Sequence, residues 1–95
     1  MTVTTIYDAA TRPGAAVKSD VFTVTSAGVA LRIKGTALAA FRAKLEFSEG
    51  GQVAYRGSTL VLSSTSNVAL LVQPGDYRFD IANPDGDIVT IEART

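Results

Sequence analysis

The sequence of 95 residues contains no cysteine, no histidine and no tryptophan, and the first two absences narrow the chemistry it can perform. Without cysteine there is no disulfide, no thiolate nucleophile and no cysteine-ligated zinc or iron–sulfur site. Without histidine the chain lacks the commonest general base and the commonest metal ligand. We therefore expect that the protein is not an enzyme and that it holds no cofactor or metal.

Charge is sparse and balanced. Nine basic and nine acidic residues give a net charge of zero, and charged residues make up 19% of the chain, against about 25% in an average protein. Because nucleic-acid-binding proteins usually carry clustered excess Lys and Arg, we expect no nucleic-acid partner. A small domain needs many polar residues to cover its large relative surface. The low charge therefore predicts that other protein covers part of the surface; the alternative is a polar coat of Ser and Thr.

Long apolar segments are also missing. The longest charge-free stretch, residues 57–75, approaches a membrane helix in length but is interrupted by Ser, Thr, Asn, Gln and Pro. The first ten residues, MTVTTIYDAA, lack the basic region and the apolar run of a secretion signal. We expect a soluble protein that is made in a cytoplasm and has no membrane partner.

The dominant pattern that is present is an alternation of apolar and polar residues, which is typical of β-strands. It predicts about eight short strands in one all-β domain over residues 1–95, a small antiparallel β-sandwich of Ig-like or jelly-roll-like type. Residues 1–20 allow an extended arm or loop. The segment Val68–Val72, VALLV, is continuously apolar, as expected of a central strand buried on both faces. The other strands outside the two predicted hairpins are Val3–Tyr7, Val21–Thr25, Val29–Lys34 and Thr59–Leu62.

The C-terminal residues predict a hairpin. Asn83-Pro84-Asp85-Gly86 is the pattern of a type I turn followed by a left-handed glycine, and alternating segments flank it. A three-residue loop places apolar residues opposite each other and sets Arg78 opposite Glu92. The expected apolar pairs are Ile81 with Val89, Phe79 with Ile91 and Tyr77 with Ala93.

A second hairpin is predicted around Glu49-Gly50-Gly51, with Phe47 opposite Val53 and Leu45 opposite Tyr55. A helix beginning at Thr36 is the alternative, because Leu38, Phe41 and Leu45 have helical spacing. On that helix Phe47 would point away from the apolar stripe. The strand is therefore favoured, with a short helical turn allowed over Thr36–Ala40.

Several groups of residues are candidates for chemical sites. Asn83, Asp85, Gly86 and Glu92 match positions 3, 5, 6 and 12 of a calcium loop, but Ile81 occupies the first position, so a turn is favoured. The acidic pairs Asp85/Asp87 and Asp76/Asp80 are interpreted as surface charge. No serine lies in a nucleophile elbow. Arg42, Lys44 and Arg56 share a face with few aromatics, which does not favour nucleic acid.

The three tyrosines, Tyr7, Tyr55 and Tyr77, could line a carbohydrate site. Two of them lie on the apolar side of the predicted hairpins. A position in the core or in an interface is therefore the favoured interpretation.

The second half of the chain, residues 53–93, resembles small all-β virion proteins of tailed bacteriophages, of the decoration or cement type. The resemblance depends on the order Tyr55-Arg56-Gly57, a strand over Ser58–Ser63, an apolar strand, the string Pro74-Gly75-Asp76-Tyr77-Arg78-Phe79 and a closing hairpin. It implies a structural role without chemistry, in which the protein binds capsid or tail protein, often as a trimer or dimer.

We therefore expect a virion protein that is assembled in the bacterial host cytoplasm and that stabilises or decorates a particle. Its expected partners are its own copies, as a trimer or dimer, and a major capsid or other virion protein; no small-molecule substrate is expected. The uncharged, β-prone start of the chain is the candidate for an exchanged or partner-added strand, with Val3, Thr4, Thr5, Ile6 and Tyr7 as binding residues. The alternative is a small glycan- or ligand-binding β-sandwich module of a larger assembly.

Overall fold

The protein is all-β in a computed structural model, which describes residues 2–25, 27–48 and 55–95, with the backbone alone at Arg56 and Thr59. Within those ranges the chain forms nine strands and no helix, and hence no helix that could span a membrane. The strands are β1 (Val3–Asp8), β2 (Ala16–Lys18), β3 (Phe22–Val24), β4 (Val29–Gly35), β5 (Arg42–Ser48), β6 (Arg56–Ser63), β7 (Val68–Leu71), β8 (Gly75–Ala82) and β9 (Val89–Arg94).

The strands form two antiparallel sheets. Sheet A has the order β1-β9-β4-β7. Sheet B has the order β2-β8-β5-β6, and β3 pairs with β8 beyond the end of β2. The apolar members of each alternation face the space between the sheets, so the two sheets pack as a β-sandwich. Fully buried side chains from both sheets build this core, among them Leu31, Ile91, Leu45, Phe79 and Ile81.

The predicted β-sandwich is confirmed, and so is the strand over residues 42–48 in place of a helix. Around the expected helical turn, Phe41 N–H donates to Leu38 O at 3.1 Å, which closes a single turn. Residues 2–20, for which the sequence allowed an extended arm or a loop, contribute strands to both sheets. Asp20 N–H donates to Ile6 O at 2.8 Å and ties the end of this segment to β1.

The predicted C-terminal hairpin is wrong. β8 pairs with β5 on one side and with β2 and β3 on the other, whereas β9 pairs with β4 and β1. The expected pair of Arg78 with Glu92 is therefore absent, and Arg78 donates to Glu46 at 2.9 Å instead. The turn chemistry was nevertheless predicted correctly, because Gly86 has a left-handed φ of 66°.

The turn that follows β8 connects the two sheets instead of folding one strand back on its neighbour. Asn83 Oδ1 accepts from Asp87 N at 2.8 Å, and Asn83 Nδ2 donates to Asp87 O at 3.0 Å. Asn83 Nδ2 also lies 3.2 Å from the Tyr7 hydroxyl, so β1 is held at the same corner. Buried polar groups need such partners, and here they fix the crossing of the chain between sheets.

The second predicted hairpin has a different register. β5 and β6 do pair, but Phe47 lies opposite Arg56 and Glu46 opposite Gly57, so the expected pair of Leu45 with Tyr55 is wrong. The register shifts between Lys44 and Glu46. Val53, the expected partner of Phe47, lies outside the described residues. β6 contains the predicted strand Thr59–Leu62 and extends it to Arg56 and Ser63.

Candidate interaction surface

The apolar segment VALLV is an edge strand, and its prediction as a central strand buried on both faces is wrong. β7 pairs with β4 and is the last strand of sheet A in the described part of the chain. A run of apolar residues without alternation fits burial on both faces, but it also fits burial on one face and contact with another molecule on the other. The sequence pattern does not distinguish these cases.

Three apolar side chains of this edge point out of the sandwich. Val68, Leu70 and Val72 are 68%, 67% and 66% exposed, whereas Ala69 and Leu71 between them pack against the core. Val72 follows the last residue of β7 in the same alternation. We call these three residues the β7 strip. Contiguous exposed apolar side chains of this kind mark interaction sites in stable proteins.

Turns at both ends position the β7 strip. Before the strand, Ser63 N–H donates to Ser66 O at 3.0 Å, which folds the chain back from β6. After it, the buried Tyr77 donates its hydroxyl to Gln73 O at 2.8 Å and holds the exit of the strand. The strip therefore lies on a strand that is tied to the body at both ends.

A shallow groove runs beside the β7 strip on the outer face of sheet A. It has a volume of about 390 Å³ and is bordered by Ala30, Leu31, Arg32, Val68, Ala69, Leu70 and Arg94. Glu92, which is 9% exposed, accepts from Arg32 Nε at 3.1 Å and lies 3.9 Å from Arg94 Nη2. The two arginines that border the groove thus share Glu92, and the surface nearest to β7 is apolar.

The backbone of β7 is also open on its outer side. Ile33 N–H donates to Asn67 O at 2.8 Å, and the same alternation directs the amides of Ala69 and Leu71 toward β4. The N–H and C=O groups of Val68, Leu70 and Val72 therefore point away from the sheet. Sheet edges are usually protected by charged residues, proline or a covering segment. No residue from 57 to 75 is charged.

The predicted partner-binding residues Val3, Thr4, Thr5, Ile6 and Tyr7 lie in β1, the opposite edge of sheet A. β1 pairs with β9 of its own chain, and a bulge lies between Thr5 and Tyr7. Ile6 and Tyr7 are buried in the core, whereas Val3 is 47% exposed. Of this set, residues 3–5 are thus accessible to a partner, and a role for them stays a prediction.

The other candidate groups have structural partners. Arg42 donates to Ala39 O at 2.6 Å and to Phe41 O at 2.7 Å, which closes the turn before β5. Tyr7 and Tyr77 are core residues. Tyr55 is half-buried beneath the Arg78 guanidinium, 4.2 Å from its ring centroid. Within the described ranges no three acidic side chains converge as they would around a metal ion.

Sequence patterns alone do not identify the β7 strip, although the predicted strand VALLV contains its three residues. Its signal was the coincidence of a short apolar run with the longest uncharged stretch of the chain. No protein-family model, no curated protein and no solved structure matches this chain. The candidate surface therefore stands on its geometry alone.

Proposed function

We propose that the protein is a structural component of a bacteriophage particle, of the decoration or cement type, that acts through protein–protein contacts made by the edges of sheet A. The observation that carries the proposal is the β7 strip, an apolar strand edge whose outward backbone groups have no partner among the described residues. Such an edge supplies both apolar area and hydrogen bonds to a partner. The more specific part of the proposal, that the protein belongs to a phage particle, depends on the resemblance of the second half of the chain to small virion proteins.

The two edges of sheet A suit two different contacts. The β7 strip serves association with a neighbouring protein, and the β1 edge, with Val3, Thr4 and Thr5 accessible, serves attachment to a capsid or other virion protein. A protein that holds two neighbours at once opposes their separation when internal pressure strains the shell. The overall binding strength increases because the two attachments are linked, so that the second binding event is intramolecular.

No observation favours the glycan-binding alternative over this function. A glycan platform needs exposed aromatic rings, but Tyr7 and Tyr77 are in the core and Tyr55 is covered on one face by Arg78. The protein–protein function uses the surface that the chain exposes.

The test is the composition of particles. Phage particles are induced from a bacterium that carries this gene, purified by density gradient, and analysed by quantitative mass spectrometry. We expect the protein in full particles at a fixed ratio to the major capsid protein. Its absence from purified particles, while it is present in the lysate, would overturn the virion assignment.

A further inference from the structure

We infer that a second copy of this chain covers the β7 edge, by antiparallel pairing of the two β7 strands about a two-fold axis at Leu70. The two copies of sheet A then form one continuous eight-stranded sheet. This inference deepens the proposed function, because it names the partner of the same edge.

The outward N–H and C=O groups of β7 lie at the alternate positions that this pairing needs. Val68, Leu70 and Val72 direct their N–H and C=O groups outward, as shown by the pairing of the intervening residues with β4. With the axis at Leu70, Leu70 lies opposite its own copy and Val68 lies opposite Val72. Each of these pairs exchanges two bonds in an antiparallel ladder, so the interface holds about six backbone hydrogen bonds. Pro74, which has no N–H, ends the ladder.

The side chains match under the same axis. On the outer face Leu70 meets Leu70, and each Val68 meets a Val72, so the exposed strip becomes a continuous apolar row across both copies. On the inner face Ala69 meets Leu71, which pairs a small residue with a large one. A shift of the register by one residue would place Val68 opposite Leu71, whose side chain faces the core, and would lose the match.

The charge pattern favours a second copy over a different partner. Residues 57–75 carry no charge and the whole chain has a net charge of zero, so two copies approach without repulsion at the edge. A partner selected by charge would find no complementary group on β7. The β7 edge of a second copy is equally uncharged and meets this requirement.

The pairing also gives the proposed function its geometry. In the joined sheet the two β1 edges lie at opposite ends, separated by about 34 Å at the usual strand spacing. Each dimer therefore presents two equivalent attachment edges, related by the two-fold axis. One dimer can bridge two neighbouring shell subunits.

Light scattering coupled to size-exclusion chromatography over a hundredfold concentration range tests the pairing. We expect the natural protein to reach twice its chain mass of 9.9 kDa. Leu70→Lys places two like charges on the axis and should raise the dimer dissociation constant at least about 100-fold. Ile88→Lys is the matched control, because Ile88 is 76% exposed and lies outside sheet A, and it should keep the natural mass.

A cysteine at the axis tests the register independently of stability. The chain has no cysteine of its own, so an introduced cysteine can form a disulfide only with its copy in the other chain. Leu70→Cys should cross-link the two copies on oxidation, because Cα atoms of a hydrogen-bonded pair are about 5.5 Å apart, within disulfide range. Ile88→Cys should stay monomeric in a denaturing gel. A natural protein that is a monomer or trimer throughout, or a Leu70→Lys variant that keeps the dimer mass, overturns the inference.

These results are separable from the particle test. A monomer that is nevertheless present in purified particles would remove the dimer and leave the proposed function. A Leu70-dependent dimer that is absent from particles would remove the virion function and leave the dimer.

Discussion

β7 and β8 follow each other directly in the chain but occupy opposite positions in the fold. β8 is central in sheet B and has paired strands on both sides, whereas β7 is at the edge of sheet A. The alternating strand is the central one, and the continuously apolar strand is the exposed one. The comparison shows that a continuously apolar strand need not be buried on both faces, because Val68, Leu70 and Val72 are exposed.

The outer faces of the two strands differ in the same way. On β8, Arg78 donates to Glu46 at 2.9 Å and Asp80 lies 3.3 Å from Lys18, which also reaches Glu46. The outer face of β8 is thus covered by ion pairs formed within the chain. The outer face of β7 has three apolar side chains and no charge. One outer face is thus covered by ion pairs within the chain, whereas the other is the face that we propose a second copy extends.

The largest contrast between the two strands should appear in the free energy of unfolding. Phe79→Ala removes a side chain that is fully buried in the middle of β8 and should destabilise the protein by about 3–5 kcal/mol. Leu70→Ala on β7 should change stability by less than about 0.5 kcal/mol in dilute, monomeric protein, because Leu70 is already exposed. Urea denaturation of both variants measures the difference. Similar losses for the two would contradict the edge position of β7.

The turn that ends β8 should show the next largest effect. Asn83→Ala removes the side chain that bonds Asp87 and the Tyr7 hydroxyl in a buried corner. It should cost about 1–3 kcal/mol, because the buried Asp87 N–H and Tyr7 hydroxyl lose the bonds that Asn83 makes to them, whereas Asp87 O still accepts from Val89 N. Asp85→Ala, in the exposed part of the same turn, is the control and should be nearly neutral. If Asn83→Ala is also neutral, the turn does not fix the crossing between sheets.

The ion pairs on the outer face of β8 should contribute less. Glu46→Gln removes the carboxylate shared by Lys18 and Arg78 and should cost about 0.5–1 kcal/mol at low salt. The loss should shrink in 1 M NaCl, because salt screens partly exposed charges. Denaturation curves at the two salt concentrations give both values, and a loss that is unchanged by salt would argue against an electrostatic cause.

The smallest effect on stability is expected on β7 itself. Val68→Thr keeps the shape of the side chain and removes apolar surface from a residue that is 68% exposed. The free energy of unfolding of the dilute protein should change by less than about 0.5 kcal/mol, whereas the dimer should dissociate several-fold more readily. Sedimentation equilibrium measures the second quantity. An unchanged association constant would separate Val68 from the interface.

The sequence predicted the strands much better than their arrangement. Alternation located β1, β4, β5, β8 and β9 within a residue or two, because one face of each is buried in the chain's own core. The order of the strands depends on which sheet each turn leads to. The turn at residues 83–87 has a left-handed Gly86 both in the predicted hairpin and in the observed crossing between sheets. The turn residues therefore do not distinguish the two arrangements.

The candidate surface was hidden for a related reason. The sequence identified VALLV as apolar and residues 57–75 as uncharged, but the exposure of Leu70 depends on β7 being last in its sheet. That position follows from the pairing of β4 with β9 on one side and β7 on the other. Such long-range pairing leaves no local pattern in the sequence.

Amide hydrogen exchange at β7, resolved by NMR at two protein concentrations, tests the central claim most directly. In dilute protein the Leu70 amide should exchange rapidly and the Ala69 and Leu71 amides slowly, because only the latter two bond to β4. At high concentration the Leu70 amide should become protected as the second copy pairs with it. A Leu70 amide that exchanges rapidly at both concentrations, or slowly at both, would contradict the account.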